Sequence, residues 1–206
     1  MEAYNKKNDY FNRLGPQWDN VVGNNSERLE KLNSILDRVN LNKGSRVMDL
    51  GCGNGVLIPL IEGRIGPDGS ITAVDAAEVM LQTAREKYAG FNNITYINAL
   101  IEDLDLENFS YDTVLAFAVV PHVEDKAAAL NRLRSFLKDH GRLYIFHLAD
   151  TVSLNEFHSH LDAPVSQDIM PDRNAMESLL LEAGFKVTVY IDQPGLNFIE
   201  AVPCTM

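Results

Sequence analysis

Hydrophobic positions along this chain change their period once. Up to about residue 40 they recur at helical steps, with Leu29, Leu32, Ile35, Leu36 and Val39 on one stripe of a 3.6-residue period. Asn24, Asn25 and Ser26 ahead of that stripe are capping residues by type. Tyr10, Phe11, Leu14 and Trp18 form a shorter stripe, interrupted by Gly15-Pro16. From Arg46 onward short apolar runs alternate with helical stretches. The runs predict strands over 46–50, 70–74, 93–97, 112–118, 142–148, 185–191 and 196–202, and the stretches predict helices over 56–65, 77–88, 124–138 and 172–183. The connectors carry turn chemistry, as in Gly66-Pro67-Asp68-Gly69, Asn92-Asn93, His140-Gly141 and Gly184.

Strands alternating with helices imply βαβ crossovers and a mostly parallel sheet covered on both faces. Only Asp192-Gln193-Pro194-Gly195 joins the last two runs, enough for an antiparallel hairpin but not for a crossover. The expected fold is therefore α/β: a doubly wound, seven-stranded, mostly parallel sheet with its last strand antiparallel and extra N-terminal helices. One domain over 1–206 is expected, with 1–42 as a helical cap and 43–206 as the core.

Composition narrows the function classes. The chain has 206 residues, 46% apolar and 23% charged, ordinary for a globular protein. Eighteen Lys+Arg against 29 Asp+Glu give a net charge of -11, which disfavours gripping nucleic-acid phosphates. The longest apolar run, 114–120, is far short of the ~20 residues that span a bilayer, and the N-terminus has no apolar leader stretch. Two cysteines, Cys52 and Cys204, make neither a disulfide framework nor a zinc site, which fits a reducing, cytoplasmic setting. A small-molecule partner is expected, with no nucleic acid and no membrane; the oligomeric state is not encoded in any pattern here.

Ligands of doubly wound sheets bind beyond the carboxyl ends of the strands, near the first βα turn. That turn reads Asp49-Leu50-Gly51-Cys52-Gly53-Asn54-Gly55. No Lys follows Gly55, so it is not a P-loop, and no third glycine stands where a nicotinamide fingerprint needs one. An acid on the strand itself repels a pyrophosphate and welcomes an ammonium or sulfonium, so the sign of the charge favours a cationic amino-acid nucleoside. Asp75 ends the second strand, 24 residues after Gly51, where an acid can accept ribose hydroxyl protons or simply cap the next helix.

The run 49–55 closely resembles the first motif, D-x-G-C-G-x-G, of the class I S-adenosylmethionine-dependent methyltransferases, and the resemblance extends over about 43–202. Residues 74–80 resemble the second motif, 112–123 the fourth strand and its loop, and 137–143 the turn before the fifth strand. The resemblance implies a Rossmann-like core that binds S-adenosyl-L-methionine. It implies Asp49 for the donor's ammonium, the backbone of Gly51, Cys52, Gly53, Asn54, Ala116 and Phe117 around the methionyl part, Asp75 and Ala76 at the ribose, and Met80 against the adenine. Where relatives carry an acid for the adenine amino group, this chain has Leu100, which leaves Ile101 with Glu102 or Asp103. An alternative is a catalytically silent donor-binding or regulatory protein on the same fold.

Methyl transfer asks the protein mainly to align acceptor, methyl and sulfur. An oxygen acceptor also needs a base, and His122 and His158 are the candidates. Tyr10, Trp18, His122, His147, Asn155 and His158 are expected to line the acceptor site, with the Tyr10–Trp18 region resembling the mobile N-terminal lid of small-molecule methyltransferases. No i, i+4 histidine pair with a carboxylate occurs, so no metal is expected.

Overall fold

The computed structural model describes residues 2–23 and 25–204; Asn24 and the extreme ends of the expected 1–206 domain lie outside the described residues. The strands are β1 (Arg46–Leu50), β2 (Ser70–Asp75), β3 (Ile94–Asn98), β4 (Tyr111–Phe117), β5 (Leu137–His147), β6 (Phe185–Gln193) and β7 (Leu196–Pro203). They form one sheet in the order β3-β2-β1-β4-β5-β7-β6, the expected seven-stranded, doubly wound fold. The β1–β2, β2–β3 and β4–β5 pairs are parallel, whereas β7 runs antiparallel to both β5 and β6. The hairpin closes through Gln193↔Leu196, and its returning strand is inserted between β5 and β6 rather than added at the rim.

Two compact units divide the chain between Leu100 and Ile101, so the N-terminal helices belong with β1–β3 rather than forming a unit of their own. The first unit adds α1 (Glu2–Leu14), α2 (Trp18–Val21), α3 (Ser26–Leu36), α4 (Ile58–Ile65) and α5 (Glu78–Lys87). Asn25 caps α3, its side chain accepting from Arg28 N at 2.9 Å. Val47, Met48, Ile71, Ala73 and Val74 are buried, the near-continuous apolar reading of strands covered on both faces. Leu32 and Leu36 of α3, Ile58, Ile61 and Ile65 of α4, and Met80, Leu81 and Ala84 of α5 complete this core. Each fully buried aliphatic side chain contributes about 1.5–3 kcal/mol.

The second unit adds α6 (Lys126–Phe136), α7 (Thr151–Ser159) and α8 (Arg173–Glu182). Asp125, Asp150 and Asp172 cap them, accepting from the main-chain N–H groups of Ala128, Ser153 and Ala175. Leu130, Leu133, Phe136, Met176 and Leu180 pack with Val114, Leu115, Ile145, Phe146 and Ile199 as its core. One boundary differs from expectation. The helix predicted over 124–138 stops at Phe136, and β5 starts at Leu137, five residues before the expected 142, because Leu137 pairs with Tyr111. The register then shifts between Tyr111 and Thr113, and a Cβ on Gly141 would lie 3.0 Å from the Tyr111 carbonyl oxygen. The His140-Gly141 turn is thus an irregularity within a strand.

Candidate functional site

In the first unit the chain leaves β1 through Gly51, Gly53 and Gly55, with φ of 66°, 54° and 84°. These lie in the left-handed region, where a side chain is strained, which explains glycine at alternate positions. Gly55 is also crowded: a Cβ there would lie 2.7 Å from Ile58 Cδ1 and 2.8 Å from the Tyr88 ring. Cys52 N donates to the Val74 carbonyl at 3.0 Å, tying the loop to the end of β2. Asp75 closes the arrangement, its two oxygens accepting from Gly53 N at 2.7 Å and Ala77 N at 2.8 Å. The N-cap of α5 is Ala77, without a side-chain cap, so Asp75 braces the glycine loop rather than capping that helix.

Asp49 is 1% exposed, and its Oδ2 has no hydrogen-bond partner. Burial first, and the Asp75 carboxylate second, push its pKa up to about 7. The same burial and both carboxylates hold the Cys52 thiol well above its ordinary value, so this cysteine is a small loop residue, not a nucleophile. An unpaired buried carboxylate oxygen lacks only a cation. The donor set therefore fits a cationic amino-acid nucleoside.

The N-terminal helices are built onto this loop. Trp18 Nε1 lies 3.7 Å from where a Cβ on Gly53 would sit, and the Trp18 ring meets Phe11 edge-on at 5.8 Å. Asp19 accepts from Asn54 Nδ2 at 2.8 Å and pairs with Lys87 Nζ at 2.8 Å. Asn12 Oδ1 caps Val79 N at 2.9 Å, while Met80 is buried and Ala76 half-buried. Tyr10 stays within this unit's aromatic cluster, its ring edge-on to Phe11 at 5.4 Å.

In the second unit Ile101 is buried and Glu102 keeps a buried Oε2 without a partner, whereas Asp103 is exposed; of the two acids, Glu102 has the unspent acceptor. Ala116 is buried at the end of β4, and Phe117 stacks on Phe146 at 5.0 Å. Ala118, exposed, adopts φ of 53°, a conformation costing a non-glycine residue about 1–2 kcal/mol. Strain of this kind concentrates at functional sites.

His147 ends β5, and His122 and His158 follow the carboxyl ends of β4 and β5. The rings of His122 and His158 lie 5.1 Å apart. His122 Nδ1 is 2.7 Å from Asp168 Oδ2, and His158 Nδ1 is 2.9 Å from the Asp168 carbonyl oxygen. His147 is buried with Nε2 unpartnered; burial, then His122 and His158, push its pKa down to about 3. His158 is likewise lowered, by burial and then by His122. Asn155 spends both ends of its side-chain amide on Met170, donating to its carbonyl at 3.0 Å and accepting from its N–H at 2.8 Å. That clamp fixes the segment carrying Asp168, so Asn155 acts on the cluster through the backbone. Among the described residues no group of three or more His, Cys, Asp or Glu is arranged to hold a metal ion.

Sequence reasoning missed Asp19, Ala118 and Asp168. Only Asp168 had a discoverable signal, as an acid in the same stretch as the late histidines; the other two depend on tertiary approach and backbone conformation.

A protein-family model described as a methyltransferase domain matches residues 41–180. The mitochondrial ubiquinone biosynthesis O-methyltransferase of Schizosaccharomyces pombe is 30% identical over 156 residues, covering 70% of this chain but only 55% of that protein. The ubiquinone/menaquinone biosynthesis C-methyltransferase UbiE of Idiomarina loihiensis is 25% identical, with 92% of this chain and 88% of that one covered. Among solved structures, a DhpI–SAH complex superposes with a TM-score of 0.77 at 16% identity, covering 99% of this chain and 98% of that one.

Proposed function

The chain belongs to the class I S-adenosylmethionine-dependent methyltransferase family, and from that premise we propose that it methylates a small molecule. The observation that carries the donor half is the buried Asp49 oxygen, unpaired behind three positive-φ glycines. When bound, the donor supplies an electrophilic methyl on a sulfonium. Asp49 would hold its ammonium, with the backbone of Gly51, Cys52, Gly53 and Asn54 along its methionyl part. Asp75 and Ala76 would take the ribose, with Met80 on the adenine side.

The small-acceptor half rests on two things. Trp18 and Asp19 press the N-terminal helices onto the glycine loop, an arrangement suited to excluding water from a methyl donor. The net charge of -11 opposes a nucleic-acid acceptor. The named relatives from Schizosaccharomyces pombe and Idiomarina loihiensis act in quinone biosynthesis, so hydroquinone-like acceptors are the first to try. Thermal shift with S-adenosylhomocysteine, NAD and ATP tests the donor: stabilisation by the first alone is expected, and stabilisation by NAD alone refutes the assignment. Among the described residues no helix is long and apolar enough to cross a membrane.

A further inference from the structure

We propose that Asn98 reads the purine of the donor, its side-chain oxygen accepting from the exocyclic amino group of adenine. This rests on the methyltransferase reading above and deepens it, by naming the residue that tells adenine from a 6-oxo purine. Every residue involved belongs to the first unit.

The sheet order β3-β2-β1 sets three strand ends side by side. Asp49 lies near the end of β1 ahead of the glycine loop, Asp75 ends β2, and Asn98 ends β3. Asp75 and Asn98 are register partners in the parallel β2–β3 pair. Neighbouring strands are about 4.8 Å apart, so the three ends span about 10 Å. That edge is where doubly wound sheets bind their ligands. A donor with its amino-acid half at β1 and its ribose at β2 carries its base toward β3. Asn98 is exposed there, whereas Leu100, two residues on, has no polar side-chain atom to offer.

A clamp fixes the polarity of Asn98. Its Nδ2 donates to the carbonyl oxygens of Asp75 and Ala76, each at 3.0 Å. Carbonyls only accept, so the amino end of the amide must face them. The Asp75 carbonyl also accepts from Ala99 N at 3.2 Å, which occupies its second lone pair. The turn that carries both carbonyls is itself held, since the Asp75 carboxylate accepts from Gly53 N and Ala77 N. Asn98 Oδ1 is thereby left on the side away from the two carbonyls, and it has no partner among the described residues. Turning the amide over would lose both bonds and set Oδ1 against two carbonyl oxygens.

Fixed polarity gives specificity. A mobile asparagine meets a donor or an acceptor by turning its amide, but this one presents an acceptor alone. Adenine carries an amino group at C6, and hypoxanthine carries an oxygen there. The amino group donates to Oδ1, whereas the oxygen opposes it, acceptor to acceptor, and the clamp keeps the amide from adapting. A ribose hydroxyl is both donor and acceptor and gains nothing from an amide held one way. The clamp therefore points to the base rather than the sugar.

Calorimetry with S-adenosylhomocysteine and S-inosylhomocysteine, its 6-oxo analogue, tests the assignment through the ratio of the two affinities. The native protein should prefer the adenine ligand about tenfold or more, from one bond lost and two acceptors opposed. Asn98→Ala should abolish the preference, leaving the two ligands within about twofold of each other. Asn98→Asp loses the clamp and should bind both ligands more weakly, yet keep the preference, because an ionised carboxylate only accepts. If both variants weaken the two ligands alike and keep the native ratio, Asn98 merely braces the β2 turn and the proposal is overturned. Equal affinity of the native protein for the two ligands overturns it without any variant. So does a crystal structure of the S-adenosylhomocysteine complex in which the adenine amino group lies beyond hydrogen-bonding distance of Oδ1. Failure of the native protein to bind either ligand refutes the underlying methyltransferase reading instead.

Discussion

Replacing Asp49 by asparagine should make the empty protein more stable and the donor complex weaker. Asp49 ionises with a pKa of about 7 in the folded chain, against an ordinary 3.8, chiefly because it is buried. At 1.36 kcal/mol per pKa unit, ionised Asp49 opposes folding by about 4 kcal/mol once the pH is above 7. The sign follows from proton counts. Between pH 3.8 and 7 the folded chain holds a proton on this carboxyl that the unfolded chain has lost, so its contribution is fully favourable below 3.8 and lost as pH rises through 7. Asparagine keeps the shape and removes the titration, but its amide donor costs about 1–3 kcal/mol if left unpaired. The variant should therefore gain about 1–3 kcal/mol at pH 8 relative to the native chain, with no gain at pH 4. Urea unfolding of both proteins at the two pH values isolates this difference, because every other group cancels. Calorimetry with S-adenosylhomocysteine, which keeps the donor's ammonium, should show affinity about tenfold to a hundredfold weaker in Asp49→Asn, from a lost charge-assisted bond of about 1.5–3 kcal/mol. Native affinity should also decline as pH falls below 7, since the carboxyl must release its proton to receive a cation. Equal stability differences at pH 4 and pH 8, or unimpaired binding by the variant, would refute the electrostatic argument.

Asp75→Ala removes the acceptor for both Gly53 N and Ala77 N as well as the ribose contact, so calorimetry should show S-adenosylhomocysteine binding at least about tenfold weaker, with a small drop in Tm; an unchanged Kd would return Asp75 to a bracing role alone. Gly55→Ala puts a methyl within 2.7 Å of Ile58 and 2.8 Å of Tyr88 at φ of 84°, and the urea midpoint should fall by the equivalent of about 2 kcal/mol or more. Trp18 is the chain's one tryptophan and lies over Gly53, so its intrinsic fluorescence should change on titration with S-adenosylhomocysteine and stay flat with NAD.

The donor loop and the histidine cluster differ in how far the sequence discloses them, and the reason is physical. The donor loop is legible because its geometry is demanded of the backbone: positive φ at Gly51, Gly53 and Gly55 forces a residue type, Asp49 stands one residue before the end of β1, and Asp75 ends the neighbouring β2. Strand existence is legible for a similar reason, since period and turn chemistry act locally. Where a strand begins is not, as Leu137 shows: its helical spacing with Leu133 was genuine, but pairing with Tyr111 across a register shift prevailed. The histidine cluster obeys neither kind of local rule. His122 and Asp168 are 46 residues apart, brought together by a segment without period that Asn155 pins to α7. No spacing rule can anticipate a pair made by a tertiary clamp, and the His147 and His158 pKa values fall because folding buries them. A donor common to a large family can be held by a fixed local motif, whereas groups that meet one acceptor need only satisfy that acceptor. The residues that distinguish this enzyme from its relatives are therefore to be sought in 151–171, where the sequence alone carried least.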